Sequence, residues 1–235
     1  MSLQREKPTN GALVWDLPTR LFHWLLLACV AGAFVSQWFY QHIPFIVHEV
    51  CGMSALVLIA FRVVWGFLGT QHARFSAFIR GPAVTKAYLQ AVLQRQTPAM
   101  AGHTPTGGWM ILLLLLLVGG QALLGLFSND ETDAAGPLYA WVSHATSNRL
   151  SGLHEIIGNL LLAAIGLHVL AVVIYKVIFK EDLVRTLITG WRPGAPASAG
   201  IAGHRLWLAL LIVAVCAGAL AWVIASAPPV PTVLM

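Results

Sequence analysis

Charged residues are scarce in this chain. Asp, Glu, Lys and Arg make up only 10% of its 235 residues, whereas hydrophobic residues make up 58%. An average soluble domain is roughly a quarter charged. This composition excludes a water-soluble fold. Because the apolar residues occur in long blocks, it predicts an integral membrane protein built as one helical bundle.

Cysteine motifs are also missing. Cys29, Cys51 and Cys216 each lie inside an apolar block, and no CxxC or CxxCH sequence occurs. A disulfide framework, a clustered zinc site and a covalently attached c-type haem therefore lack support. The first dozen residues are polar and are not followed by an apolar core with a small-residue cleavage site, so we expect no removable signal peptide.

Five apolar blocks are long enough to cross a bilayer, whose hydrocarbon core of about 30 Å needs about 20 helical residues. They cover residues 21–40, 46–68, 109–127, 152–178 and 206–226. Lipid cannot satisfy open backbone groups, so each block is predicted to be an α-helix, and Pro44, Pro105 and Pro228 lie at block margins. The predicted fold class is all-α and integral to the membrane.

Lys and Arg are distributed unequally between the two sets of termini and loops. One set contains nearly all of them: Arg5, Lys7, Arg20, Arg74, Arg80, Lys86, Arg95, Lys180, Arg185, Arg192 and Arg205. The other set, residues 41–45, 128–151 and 227–235, holds Arg149 alone. The positive-inside rule places the N-terminus in the cytoplasm, and five spans then place the C-terminus outside. The basic pI near 9.5 reflects this topology, so no nucleic-acid partner is implied.

Four of the nine histidines lie in the predicted spans or at their ends: His23, His48, His154 and His168. An ionisable group within a membrane indicates function by default. His154 and His168 are fourteen residues apart, close to four helical turns, so they share one face about 21 Å apart along the axis. Gly158 lies between them on that face, where its missing side chain suits either a flat macrocycle or a packed helix.

The inferred topology sorts these histidines by depth. The pairs of matched depth are His23 with His168 towards the cytoplasm, and His48 with His154 towards the outside. Two neutral imidazoles can fill both axial positions of a haem iron, which suits electron transfer. A single histidine on an apolar helix usually has a structural role, but four at two depths favour two haem sites. Zinc or copper is the alternative, because Cys29 and Cys51 share spans with two of the histidines, although no clustered chelate spacing occurs.

The other histidines are predicted to be ordinary solvated residues in loops or at helix starts: His42, His72, His103, His144 and His204. None is assigned as a ligand. Arg20 and Arg62 lie at the cytoplasmic ends of the first two spans. There a guanidinium group either pairs with a haem propionate or, as we favour, snorkels to lipid phosphate.

Four runs of sequence resemble the prokaryotic cytochrome b561 family, which includes the cytochrome b subunit of membrane-bound nickel–iron hydrogenases. The runs are VWDLPTRLFHWLL, HEVCGMSALVLIAFRVVWGFLGTQHARF, GHTPTGGWMILLLLLLVGGQALLGLF and LHEIIGNLLLAAIGLHVLAVVIY. The resemblance covers residues 13–192, which hold the first four spans. It leaves residues 193–235 as an additional C-terminal transmembrane helix with a short outer tail.

The resemblance implies a four-helix transmembrane bundle in the bacterial inner membrane that holds two haems b. The family's ligands fall on His23 and His168 for the cytoplasmic-side iron, and on His48 and His154 for the outer-side iron. Members of the family transfer electrons between the membrane quinone pool, which is ubiquinone or menaquinone, and a redox partner. One branch oxidises superoxide with quinone as the acceptor.

Several functions therefore stay open, and so does the question of whether the chain is itself an enzyme. It is an electron conduit to an outer redox protein, a superoxide:quinone oxidoreductase, or the cytochrome b anchor subunit of a hydrogenase or dehydrogenase. The outer segment NDETD presents Asp130, Glu131 and Asp133 against the single Arg149. Such a field repels superoxide and favours a basic partner such as a c-type cytochrome. A non-redox channel is disfavoured because the spans lack a polar stripe.

Overall fold

The computed structural model describes residues 11–96, 100, 102–132 and 134–229. Within them, the α-helices are α1 (Leu17–Trp38), α2 (Phe45–Leu68), α3 (Phe75–Phe78), α4 (Pro82–Leu93), α5 (Pro105–Gly125), α6 (His144–Val177), α7 (Leu183–Thr189) and α8 (Leu206–Ala225). Short 3₁₀ helices cover Gln71–Ala73, Tyr139–Trp141 and Ala197–Ala199. Strands β1 (Ala12–Leu13) and β2 (Trp191–Arg192) pair antiparallel, with Ala12 opposite Arg192. The predicted all-α fold class is confirmed.

Five of these helices, α1, α2, α5, α6 and α8, are long and apolar enough to cross a membrane. The prediction of five spans is confirmed, and the chain is a multi-pass membrane protein. Large apolar side chains cover the outer surface of the helices: Leu116 on α5 is 74% exposed and Trp207 on α8 is 86% exposed. Lipid is the solvent that such a surface needs.

Three spans begin at least four residues earlier than the apolar blocks predict, and α1, which begins at Leu17 rather than near residue 21, is one of them. The fourth block starts near residue 152, but α6 begins at His144, because the Oγ atom of Ser143 accepts the backbone N–H of Thr146 at 3.2 Å and caps the helix. The third block starts near residue 109, but α5 begins at Pro105, because Thr104 caps it through the N–H of Gly107 at 3.1 Å. Polar capping turns carry no hydropathy signal, so the blocks miss them.

The described residues form two compact units. The first unit contains residues up to 21, 64–112 and 167–209, and the second contains residues 22–63, 113–166 and those from 210 onwards.

In the first unit, Asp16 joins the start of α1 to the end of α2. Its carboxylate is 1% exposed and accepts the backbone N–H of Thr19 at 2.6 Å, which caps α1. The same carboxylate accepts the indole N–H of Trp65 at 3.4 Å and the hydroxyl of Thr70. A buried carboxylate needs this number of donors, so Asp16 is a structural anchor.

The loop histidines of the first unit correct a prediction. His72, expected to be solvated, is only 9% exposed, and its Nε2 atom lies 2.8 Å from the carbonyl oxygen of Ala199. His204 accepts the backbone N–H of Leu17 at 3.1 Å, at the start of α1. Both histidines therefore tie the segment before α8 to other parts of this unit. Their partners are backbone groups distant in sequence, which no local pattern signals.

The second unit holds an apolar cluster to which four spans contribute. Ala55 and Ile59 on α2, Val118 on α5 and Leu161 on α6 are buried together, with Val30 of α1 packed against them. Burial of apolar area is favourable by about 25 cal/mol per Å², so this cluster helps to hold the four helices together around the site described next.

Candidate haem site

His48 and His154 face each other within the second unit. His48 lies one turn into α2, His154 lies on α6, and their ring centroids are 6.1 Å apart with the ring planes at 69°. Metal–imidazole bonds are about 2 Å long, so two imidazoles on opposite sides of one ion have centroids roughly 6 Å apart. The observed separation fits this arrangement.

Each of these imidazoles is oriented by a backbone carbonyl of a neighbouring helix. The Nδ1 atom of His48 lies 3.0 Å from the carbonyl oxygen of Ala33 on α1, and the Nδ1 atom of His154 lies 3.0 Å from that of Gln121 on α5. A carbonyl can only accept, so both Nδ1 atoms carry the proton. This tautomer leaves each Nε2 lone pair available for a metal ion.

A cavity of about 520 Å³ adjoins the two histidines. Its volume is in the range of cofactor pockets. Two glycines keep the space beside it open: a Cβ atom on Gly125 would lie 3.2 Å from Cε1 of His154, and one on Gly158 would lie 3.2 Å from Nε2 of Gln121. Gly158 is also buried, and its missing side chain leaves room for the amide group of Gln121.

The donor set of this cavity fits haem b better than zinc. It offers two imidazoles with free Nε2 atoms, largely apolar walls and room for a flat group. Cys29 and Cys51, the alternative metal ligands, also line the cavity. Among the described residues, however, no group of three or more His, Cys, Asp or Glu side chains could hold a metal ion, and a structural zinc site needs four ligands.

The other two histidines singled out from the sequence lie in different units. His23 is on α1 in the second unit, with its ring edge-on to Trp24 at 5.2 Å, and His168 is on α6 in the first. Both are half-buried. Their pairing about one iron stays a prediction.

The structure contradicts the predicted snorkelling for one of the two arginines. Arg62 is 2% exposed, so it is enclosed by protein. The Nη1 atom of Arg20 donates to the carbonyl oxygen of Thr189 at 3.1 Å, which ties α1 to the end of α7 within the first unit. The carbonyl of Thr189 is again a partner that residue type cannot reveal.

The acidic segment after α5 is held by Asn129. Its amide Nδ2 donates to Oγ of Ser147 at 2.6 Å, and its backbone N–H donates to Oγ of Ser151 at 2.9 Å. Burial opposes ionisation of Asp130, but backbone N–H groups, including that of Ala134 at 2.9 Å, hold the pKa of this carboxyl below its usual value. Glu131 accepts from Asn148 at 2.6 Å. The third predicted acid, Asp133, lies outside the described residues.

Apolar spans with two facing imidazoles beside a cofactor-sized cavity are the architecture of a membrane-bound cytochrome b. The chain belongs to the prokaryotic cytochrome b561 family, whose family model matches residues 14–190, about three quarters of the chain. The family assignment made from sequence is confirmed. Membership of this family implies haem b as the cofactor class and electron transfer as the class of function.

Curated relatives are similar over most of their length. The chain is 21% identical over 212 residues to the "Probable Ni/Fe-hydrogenase 1 B-type cytochrome subunit" of Escherichia coli (strain K12), covering 76% of this chain and 89% of that protein. It is 24% identical over 228 residues to the "Probable Ni/Fe-hydrogenase B-type cytochrome subunit" of Rhodobacter capsulatus, covering 81% of this chain and 84% of that protein. The protein of that name in Azotobacter vinelandii is 22% identical to this chain over 225 residues, and the match covers 80% of this chain and 91% of that protein. No solved structure matches.

Proposed function

We propose that the chain carries electrons across the bacterial inner membrane through two haems b with bis-histidine ligation. His48 and His154 hold the outer-side iron, and His23 and His168 hold the cytoplasmic-side iron. The observation that carries the proposal is the 6.1 Å separation of the His48 and His154 rings, each with its Nδ1 atom on a backbone carbonyl. When bound, haem b supplies one-electron oxidation and reduction of iron.

The protein's own contribution is ligation, orientation and exclusion of water. The carbonyls of Ala33 and Gln121 fix the tautomers of the two outer-side histidines, and if both histidines bound one haem iron, no open position would be left for oxygen chemistry. On α6, His154 and His168 are separated by about 21 Å along one helix, and the edges of two macrocycles would be closer than that. This spacing suits electron tunnelling from one side of the membrane to the other.

Membrane quinone, ubiquinone or menaquinone, is the proposed electron carrier on the cytoplasmic side.

The proposed orientation has the N-terminus in the cytoplasm and the C-terminus in the periplasm, because the basic residues are concentrated on one side of the five spans.

The outer partner is proposed to be a basic redox protein such as a c-type cytochrome. Glu49, Asp130 and Glu155 line the cavity, and Glu131 follows Asp130 in the chain. Among the described residues that line it there is no Lys or Arg. Carboxylates at this position attract a basic protein and repel superoxide, so a superoxide:quinone oxidoreductase is the weaker alternative.

A second candidate is the cytochrome b anchor subunit of a hydrogenase or dehydrogenase complex. The names of the relatives favour it, and they match at least 76% of this chain. The two candidates differ in the electron donor or acceptor that the purified protein accepts directly. Rapid electron exchange with a soluble basic cytochrome c supports the first, and reduction of the haem only in the presence of a co-purified hydrogenase supports the second.

Haem stoichiometry tests the core of the proposal. Pyridine haemochrome analysis of fully loaded, purified protein should give two haems b per chain, because four ligands at two depths make two complete coordination spheres. A value of one would remove the argument that the four histidines form two pairs at two depths. The absence of a haem b α-band after dithionite reduction would remove electron transfer altogether.

A further inference from the structure

The carbonyl oxygen of Ala33 receives two side-chain hydrogen bonds. The Nδ1–H of His48 donates to it at 3.0 Å, and the hydroxyl of Ser36 donates to it at 2.9 Å. Ser36 is 3% exposed, so its hydroxyl has no water to bond to instead. Both bonds lie within the second unit. A buried serine therefore shares its acceptor with a proposed iron ligand.

Sharing weakens each bond to that oxygen. Ala33 is inside α1, where its carbonyl also faces the backbone N–H of residue 37, as in any α-helix. A carbonyl oxygen has two lone pairs, so three donors compete for them. Ser36 bonds three residues back along its own helix, a geometry that also bends helices locally. The strength of the His48 bond thus depends on a residue that contacts neither the imidazole nor the cavity directly.

We propose that Ser36 is a positioning residue that tunes the reduction potential of the outer-side haem by weakening the hydrogen bond from His48 to Ala33. This inference rests on the proposed function. A stronger Nδ1–H bond makes an imidazole a more basic ligand, and a more basic ligand stabilises the oxidised, more positive iron over the reduced iron. By drawing on the same acceptor, Ser36 makes His48 less basic and raises the potential.

The test is redox potentiometry of purified, haem-loaded variants, followed at the α-band. The relevant component is the one that His48→Ala removes. Ser36→Ala should lower its midpoint potential and leave the other component unchanged, with haem content equal to that of the wild type. Ser36→Thr keeps a hydroxyl that can bond back along the helix, so it should restore the wild-type potential. Ser36→Cys has a weak donor and should shift the potential in the same direction as Ser36→Ala, but less.

The outcomes separate this inference from the proposed function. If His48→Ala removes no haem component, the proposed function fails, and the role of Ser36 fails with it. If His48→Ala removes one component but Ser36→Ala leaves its potential unchanged or raises it, only the role of Ser36 is overturned. The same holds if Ser36→Thr behaves like Ser36→Ala. Should Ser36→Ala lose its haem, Ser36→Cys decides, and a wild-type potential in that variant counts against the inference.

Discussion

Substitution of Gly125 by alanine should weaken haem binding at the outer-side site. A Cβ atom at this position would lie 3.2 Å from Cε1 of His154, so the imidazole must move by a few tenths of an ångström. That ring is held by its 3.0 Å hydrogen bond to the carbonyl of Gln121, and the same helix carries both the carbonyl and the new methyl group. The imidazole therefore cannot keep both its bond and its position.

The expected loss is about 10–100-fold in haem affinity, the usual effect of disturbing the groups that orient a metal ligand, which corresponds to about 1.4–2.7 kcal/mol. Gly120→Ala is the matched control on α5. Its Cβ atom would meet Cδ1 of Ile157 at 3.9 Å, an ordinary contact. Alanine has up to about 1 kcal/mol more intrinsic helix propensity than glycine at an interior position such as Gly120, and Gly125 is the last residue of α5, so neither substitution should weaken the helix by itself.

The assay is transfer of haem from the purified protein to an excess of a haem-free globin, combined with haem content after purification. Gly125→Ala should lose one of its haems faster than the wild type, and Gly120→Ala should not. Equal retention in both variants would refute the placement of His154 beside Gly125, or its role as a ligand.

The remaining predictions concern the ligands and the outer partner. Alanine substitutions should damage one potentiometric component per pair, the pairs being His23 with His168 and His48 with His154. If His23→Ala and His48→Ala affected the same component, the pairing by depth would be wrong. The second-order rate of electron exchange with a basic c-type cytochrome should fall as salt shortens the Debye length from about 10 Å at 0.1 M, and fall again in Asp130→Asn/Glu131→Gln. Because the pKa of Asp130 is lowered, its carboxylate is charged at pH 5 as it is at pH 7, so Asp130 itself should add no pH dependence to the salt effect between these two values. A rate indifferent to salt and to the double substitution would place the docking surface elsewhere.

The spanning helices were predictable because long apolar blocks leave a chain no alternative in lipid. The ends of the helices were less predictable: α6 starts about eight residues before the apolar block that predicts it, because Ser143 caps the helix there. The family was readable from the sequence runs around His48 and His154. What the sequence did not reveal is the hydrogen bonding of those ligands, because every residue has a carbonyl, and nothing marks that of Ala33 or Gln121 as an acceptor.

The loop histidines show the same limit. A histidine in a polar loop is usually solvated, but His72 is buried, because a segment more than a hundred residues away brings the carbonyl of Ala199 to it. Arg62 resembles it: a guanidinium group at a span end usually reaches lipid phosphate, yet protein encloses this one. In both cases tertiary contacts bury the side chain, and these contacts cannot be predicted from the residue type.

Strand β1 has a consequence for biogenesis. Its partner, β2, follows the first four spanning helices in the chain, and the N–H of Leu17 finds its acceptor, His204, only just before α8. During synthesis these groups cannot pair until the chain has been made as far as residues 191–204. Pairing of such high contact order is slow and comes late. Closure of β1 onto β2 therefore cannot come before the first four spanning helices have been made, and a chain that stops before β2 leaves β1 without its partner strand.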